Sequence, residues 1–214
     1  MKIDLHTHTL QSKDSLSRYR GIVDAVHRAG LDGIAVTDHD ELRGAFELRE
    51  IAPFFVIPAE EIKTSQGEII GLFLSKRIEP GLEPLETIRR IRDQGGVVYV
   101  PHPFDEVRGS RITREALDQI RPEIDLLEVF NSRNALPHFN RRALEYASRH
   151  GLLAGAGSDA HTYGEYGHAY IDVPDFRTAE EFRTALRRGV WYGRLSSPLV
   201  HLRTRIDRTL KIIS

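Results

Sequence analysis

The chain contains no cysteine, and only one methionine and one tryptophan in 214 residues. The first absence removes disulfides, thiolate metal sites and cysteine nucleophiles together, so any metal must be held by nitrogen and oxygen. An excess of charge of one sign is also lacking: 30 basic and 31 acidic side chains leave a formal net charge of −1, and no global field recruits nucleic acid. Long apolar runs are missing, since "FFVIPA" and "GGVVYV" are far too short to span a bilayer, and no membrane partner is expected. The opening "MKIDLHTHT" has acid and histidine where a signal peptide needs an apolar region, so the expected location is cytoplasmic. There is no Gly-x-Ser-x-Gly elbow, Walker loop or dinucleotide fingerprint.

What remains is an ordinary globular composition, 40% hydrophobic and 29% charged, at a length that suits one domain. Short apolar runs alternate with longer amphipathic stretches. The runs "KIDL", "GIAVTD", "FFVIPAEE", "GGVVYVPH", "DLLEVFN" and "LLAGAGSD" read as buried strands. Between them, "SLSRYRGIVDAVHRAG", "ELRGAFELREIA", "GLEPLETIRRIRDQGG", "TREALDQIRP", "LPHFNRRALEYASRHG" and "TAEEFRTALRRG" carry apolar residues at helical spacing, several closing on glycine. This alternation implies parallel pairing with right-handed crossovers, an α/β fold that is a barrel or an open sheet. One exception, "TSQGEIIGLFLS", suggests a hairpin or an extra strand.

The polar residues fall at particular places in this pattern. "DHD" follows "GIAVT", "EE" follows "FFVIPA", "HP" follows "GGVVYVP", "NSR" follows "LLEVF" and "DAH" follows "LLAGAGS". Histidines and carboxylates therefore recur at the C-terminal ends of parallel strands, the edge at which both barrels and open sheets place their sites. In the first strand, "KIDLHTH" puts Asp4, His6 and His8 on one face by simple alternation. The candidate metal ligands are His6, His8, Asp14, His39, Glu61, His102, Asp159 and His161. Eight ligands exceed the demand of one ion and imply two or three, with Glu61 the candidate bridge. Imidazole with carboxylate suits zinc, manganese or iron, whereas magnesium prefers all-oxygen surroundings. Such ions lower the pKa of a bound water to give hydroxide near neutral pH, and the chemistry implied is hydrolysis, most naturally of a phosphate ester.

Asp4, Asp38 and Asp40 read as groups that orient imidazoles or as direct ligands. His27, His150 and His201 read as structural, and His138 and His168 as incidental neighbours of strand ends or as further ligands.

"DLHTHT", "TDHD", "PAEEI", "PHP" and "GSDAH", in this order, resemble the polymerase and histidinol phosphatase (PHP) superfamily from residue 2 to about residue 195. The resemblance implies a distorted seven-stranded (β/α)7 barrel, a two- or three-metal cluster and phosphoesterase activity, with the eight candidate ligands on the family's ligand positions. It divides the chain into a domain over residues 1–195 and a basic C-terminal extension, residues 196–214, packed on it. Many members carry a histidine where this chain has "QGEII", which leaves Glu68 as a substitute or as no ligand; after "EVF", Asn131 or His138 stands where a ligand varies. His102, His161 and Asp159 are the expected catalytic residues, either histidine assisting the leaving group. Arg18, Arg20 and Arg133, with Lys63, are the candidates to grip a small phosphorylated substrate, and each reads alternatively as solvated surface. Three other readings stay open: a 5′ exonuclease on nucleic-acid ends, a non-catalytic metal-binding accessory module, and metal-assisted hydrolysis of a carbon–nitrogen bond, as in other metal barrels.

Overall fold

In the computed structural model the described residues are 1–200 together with 204, 206, 208, 209 and 211. The six expected strands are β1 (Lys2–Thr7), β2 (Gly33–Val36), β3 (Phe55–Thr64), β5 (Val97–Val100), β6 (Leu126–Asn131) and β7 (Leu153–Gly157), and the run "GEIIGL" forms β4 (Gly67–Leu72). β4 returns against β3 through a turn at Ser65 and Gln66, so the exceptional segment is a hairpin. Gly67 is required there: its φ is 121°, and a Cβ would lie 2.2 Å from the Ile112 backbone.

The helices are α1 (Tyr19–Ala29), α2 (Arg43–Arg49), α3 (Pro84–Asp93), α4 (Arg114–Ile120), α5 (Pro137–His150) and α6 (Ala179–Leu186). Gly30 and Gly151 end α1 and α5 in the left-handed conformation, which accounts for the glycine signals in the sequence. His27 and His150 lie in the last turns of those two helices, where a histidine complements the helix dipole.

β1, β2 and β3 pair in parallel, β4 lies antiparallel between β3 and β5, and β5, β6 and β7 are again parallel. The residues following β7 then close the ring on β1: the Asp159 amide donates to the His6 carbonyl at 2.8 Å, and the His8 amide to the Ala160 carbonyl at 2.9 Å. The result is the distorted seven-stranded barrel. Two further strands, β8 (Ala169–Asp172) and β9 (Val190–Gly193), extend the sheet antiparallel from the N-terminal half of β1. They were not expected from the sequence, because each is four residues long and β9 is largely exposed, with no apolar alternation to betray it.

Alternation sorts the side chains into layers. Ile34 and Val36 pack outward with Ile22, Val26, Ala45 and Leu48 of α1 and α2, while Val98, Val100, Leu127 and Val129 pack outward with residues of α3, α4 and α5. Inward positions carry Ala35, Ile57, Ala59, Tyr99 and Leu126. This interior is apolar at depth and turns polar at the C-terminal ends, where Glu61 and Glu128 continue the inward parity of β3 and β6. Among the described residues no helix is long and apolar enough to cross a membrane. His201 lies outside the described residues, as does part of the 196–214 extension.

Candidate metal centre

β1 delivers His6 and, just past its end, His8; the loops after β2, β5 and β7 deliver His39, His102, and Asp159 with His161; β3 delivers Glu61. Glu61 is central. Its Oε2 lies 3.4 Å from His6 Nε2, 3.5 Å from His8 Nε2 and 3.0 Å from His39 Nδ1, and its Oε1 lies 2.9 Å from His102 Nε2. Asp159 Oδ1 is the second hub, 3.6 Å from His6 Nε2, 3.2 Å from His8 Nε2 and 3.5 Å from His161 Nδ1. Asp14 approaches from the loop after β1, 3.3 Å from His161 Nε2 and 3.7 Å from His39 Nε2. All eight sequence-derived ligand candidates are thus brought together, and Glu68 joins them, its Oε2 3.7 Å from His102 Nε2.

Three of the rings are held so that Nε2 faces the centre. His6 Nδ1 is 3.0 Å from Glu128 Oε1, His8 Nδ1 is 3.0 Å from Ser12 Oγ, and His161 Nδ1 is 2.8 Å from the Asp159 carbonyl. Ser12 donates its own hydroxyl proton to Asp38 Oδ1 at 2.6 Å, so it accepts from the His8 Nδ1–H. A proton fixed on Nδ1 leaves the Nε2 lone pair free to ligate. Asp38 therefore orients an imidazole through Ser12 and also accepts from the Thr9 amide and hydroxyl. Asp4 is not part of the cluster: buried, it accepts from the Ser158 and Gly167 amides, and burial pushes its carboxyl up to about 7.

The electrostatics suit cations. Burial and the facing His161 and His39 rings hold His8 well below the usual histidine range, which keeps it neutral. Burial opposes the charged form of His39, but the Glu61 and Asp14 carboxylates override it and push the ring up to about 10. Burial likewise opposes ionisation of Asp159, yet Arg108 and His6 hold its carboxyl well below the carboxylate range. Buried atoms without a hydrogen-bond partner gather here: His8 Nε2, Asp14 Oδ1, Glu68 Oε2, His102 Nδ1 and Asp159 Oδ1. Such atoms are costly to bury unless something of opposite character meets them. Ligand atoms of His6, His8 and Glu61, of His6, His102 and Asp159, of His8, His39 and His161, and of His39, Glu61 and Glu68 each lie within 4.8 Å of one another. Backbone strain also concentrates here, since among the described residues Asp40, His102 and Asp159 are three of the four non-glycine residues with positive φ.

The cluster opens into a cavity of about 650 Å³ lined by Lys13, Lys63, Arg108, Arg133 and Arg208 among its cations. Arg133 lines it as expected, but its guanidinium is engaged by Glu165 and the Asp159 carbonyl. Arg18 and Arg20 do not line it; they are exposed at the start of α1. The Asn131 amide is committed as a donor to Glu128 and Asp159, and His138 lies in the first turn of α5 against Phe139. His168 pairs with Ser196 Oγ at 2.8 Å.

Sequence reasoning missed Arg108 and Glu128. Arg108 Nη2 meets Asp159 Oδ2 at 2.7 Å from well along the loop after β5, beyond the strand end where candidates were sought. Glu128 receives the Tyr99 hydroxyl, the His102 amide and the Asn131 amide besides the His6 ring. Its signal was a lone acid inside the apolar run "LLEVF".

A seven-stranded barrel carrying an imidazole and carboxylate cluster suited to divalent metal at the C-terminal ends of its strands defines the class. Residues 4–89 match the PHP domain family and residues 137–190 the PHP-associated family. An uncharacterized protein of Methanocaldococcus jannaschii is 36% identical over 197 residues, covering 87% of this chain and 79% of that one. The chain belongs to the PHP family. Among solved structures, a two-domain protein of Bacteroides vulgatus containing a predicted PHP-like metal-dependent phosphoesterase superposes with a TM-score of 0.72 at 22% identity, over 97% of this chain and 69% of that one. PsfC of Pseudomonas syringae superposes with a TM-score of 0.71 at 18% identity, over 98% of each chain.

Proposed function

We propose that the protein is a metal-dependent phosphoesterase that hydrolyses a phosphate monoester, either a small phosphorylated metabolite or a nucleotide. The observation that carries this reading is the set of overlapping three-residue groups in which His6, His8, His39 and Glu61 each serve two groups, a layout for adjacent ions rather than one. His6, His8, Asp14, His39, Glu61, His102, Asp159 and His161 would hold two or three divalent ions (zinc, manganese or iron), with Glu68 completing the set. When bound, the ions supply an acidified water and positive charge for the phosphoryl oxygens.

The chain supplies the rest. Glu128, Ser12 and the Asp159 carbonyl fix the imidazole tautomers. Arg108, one-fifth exposed and facing the cavity, can set its guanidinium against a phosphoryl oxygen while its other edge stays on Asp159. His102 or His161, whichever is not ligating, would pass a proton to the leaving oxygen.

Elemental analysis of the purified protein, with hydrolysis of an aryl phosphate and of a phosphodiester with and without manganese, tests the proposal. Two or more equivalents of metal with monoester turnover abolished in His8→Ala supports it. Preference for the diester or for nucleic-acid ends replaces it with the exonuclease reading. Less than one equivalent under every loading condition, without turnover, leaves a non-catalytic module.

A further inference from the structure

After β9 the described residues of the chain return to the cavity. The Ser196 amide donates to the Ser132 carbonyl at 2.8 Å, and Arg133 Nη2 reaches the Val200 carbonyl at 3.3 Å and the Thr204 hydroxyl. Thr204 and Arg208 line the cavity itself. Further along, Lys211 Nζ donates to the carbonyls of Leu10 and Ser12. Residues 204, 206, 208, 209 and 211 are helical, and positions 200, 204, 208 and 211 follow the spacing of a single helix face. Ile206, off that face, is 48% exposed.

A surface helix ordinarily turns an apolar stripe toward the body of its protein. Among the described residues of this segment, Thr204 and Arg208 line the cavity and Lys211 reaches the Leu10 and Ser12 carbonyls, while Ile206 is exposed. The surface these residues meet is polar. Their attachments are to residues that hold the cluster: Arg133 pairs with Glu165, which accepts from the His161 amide at 3.2 Å, and Ser12 holds the His8 ring. The cavity's arginines also differ in their commitments. Arg108 is bound to Asp159 and Asp105, and Arg133 to Glu165, whereas among the described residues Arg208 has no carboxylate partner. Lys13 and Lys63, which line the same cavity, are likewise exposed and without an ion pair among the described residues.

We infer that Thr204 and Arg208 form part of the wall of the site, and that Arg208 is a specificity-determining residue that binds an anionic group of the substrate other than the one held at the cluster. The inference rests on the proposed phosphoesterase reading for the word substrate, and on geometry alone for anion binding. Lys13 and Lys63 add their charge to the same cavity, and Lys211 anchors the neighbourhood of Arg208 to the Leu10 and Ser12 carbonyls.

The test uses full-length, metal-loaded protein with inorganic pyrophosphate as the probe, its affinity measured calorimetrically in wild type, Arg208→Ala and Arg208→Lys. Arg208→Ala should weaken binding about tenfold, as expected for one charge-assisted hydrogen-bonding pair, with partial recovery in Arg208→Lys and unchanged metal content. If an ester substrate is turned over, the same variant should lose mainly in KM. A chain ending at Ser197 should match Arg208→Ala in its pyrophosphate affinity or fall below it. Equal affinities in wild type and Arg208→Ala, or no pyrophosphate binding by wild type, would overturn the inference. Arg208-dependent binding without hydrolysis of any ester would sink the phosphoesterase reading and leave this one standing.

Discussion

On the floor of the site the side chains of His6, His102, Glu61 and Asp159 are fully buried, whereas at the rim Asp14 and His39 keep 25% and 22% of their side-chain surface. The two regions use the same residue types, yet they are held differently. Beneath the floor lies a layer of hydrogen bonds, with Tyr99, Asn131 and the His102 amide all converging on Glu128, which in turn receives His6. The rim has no such layer, and its charges face a cavity bounded by lysines and arginines. Buried charge demands satisfied partners, since an unmet one costs several kcal/mol, while a charge at the water's edge can exchange partners cheaply. The floor is therefore suited to fixing ions in place, and the rim to admitting and releasing an anion.

That contrast can be broken by substitution. Glu61→Gln removes the charge facing four imidazoles, and should lower both metal content and turnover by more than about a hundredfold, beyond the range for groups that merely orient ligands. A Glu61→Gln protein with wild-type metal content would show that the floor does not depend on its hub. Glu128→Gln acts one step removed: metal affinity, measured by competition with a chelator, should fall by about 10–100-fold. No change there would mean that the layer beneath His6 is packing and nothing more.

At the rim, Asp14→Asn should weaken one ion and cost less denaturant stability than Glu61→Gln, because a quarter of the Asp14 side chain is exposed whereas Glu61 is fully buried. An equal or larger loss in urea melts would erase the distinction between the regions. The smallest effect is expected outside both, where Arg18→Ala and Arg20→Ala should leave turnover within about twofold of wild type, as is usual for exposed positions away from a site. A large rise in KM in either variant would extend the substrate's footprint to the start of α1.

Much of this was legible before any coordinates. The strand and helix alternation, the hairpin after β3 and the glycine-ended helices follow from local patterns, since apolar periodicity and turn chemistry act over a few residues. The ligand candidates were legible for a related reason: parallel strands share a direction, so polar residues that end each apolar run must arrive at one edge. Apart from Asp38, which orients His8 through Ser12, the groups that stand behind those ligands were not legible. Glu128 meets His6 across 122 residues of sequence, and Arg108 meets Asp159 across 51. β8 and β9 left no periodic trace because their pairing, β8 on β1 and β9 on β8, comes from the sheet rather than from their own side chains. The sequence by itself determined the elements and the chemical character of their ends. Closure of the barrel between β1 and the residues after β7 decided which ends face one another, how deeply each charge is buried and what covers the mouth, because those depend on contacts between residues far apart in the chain.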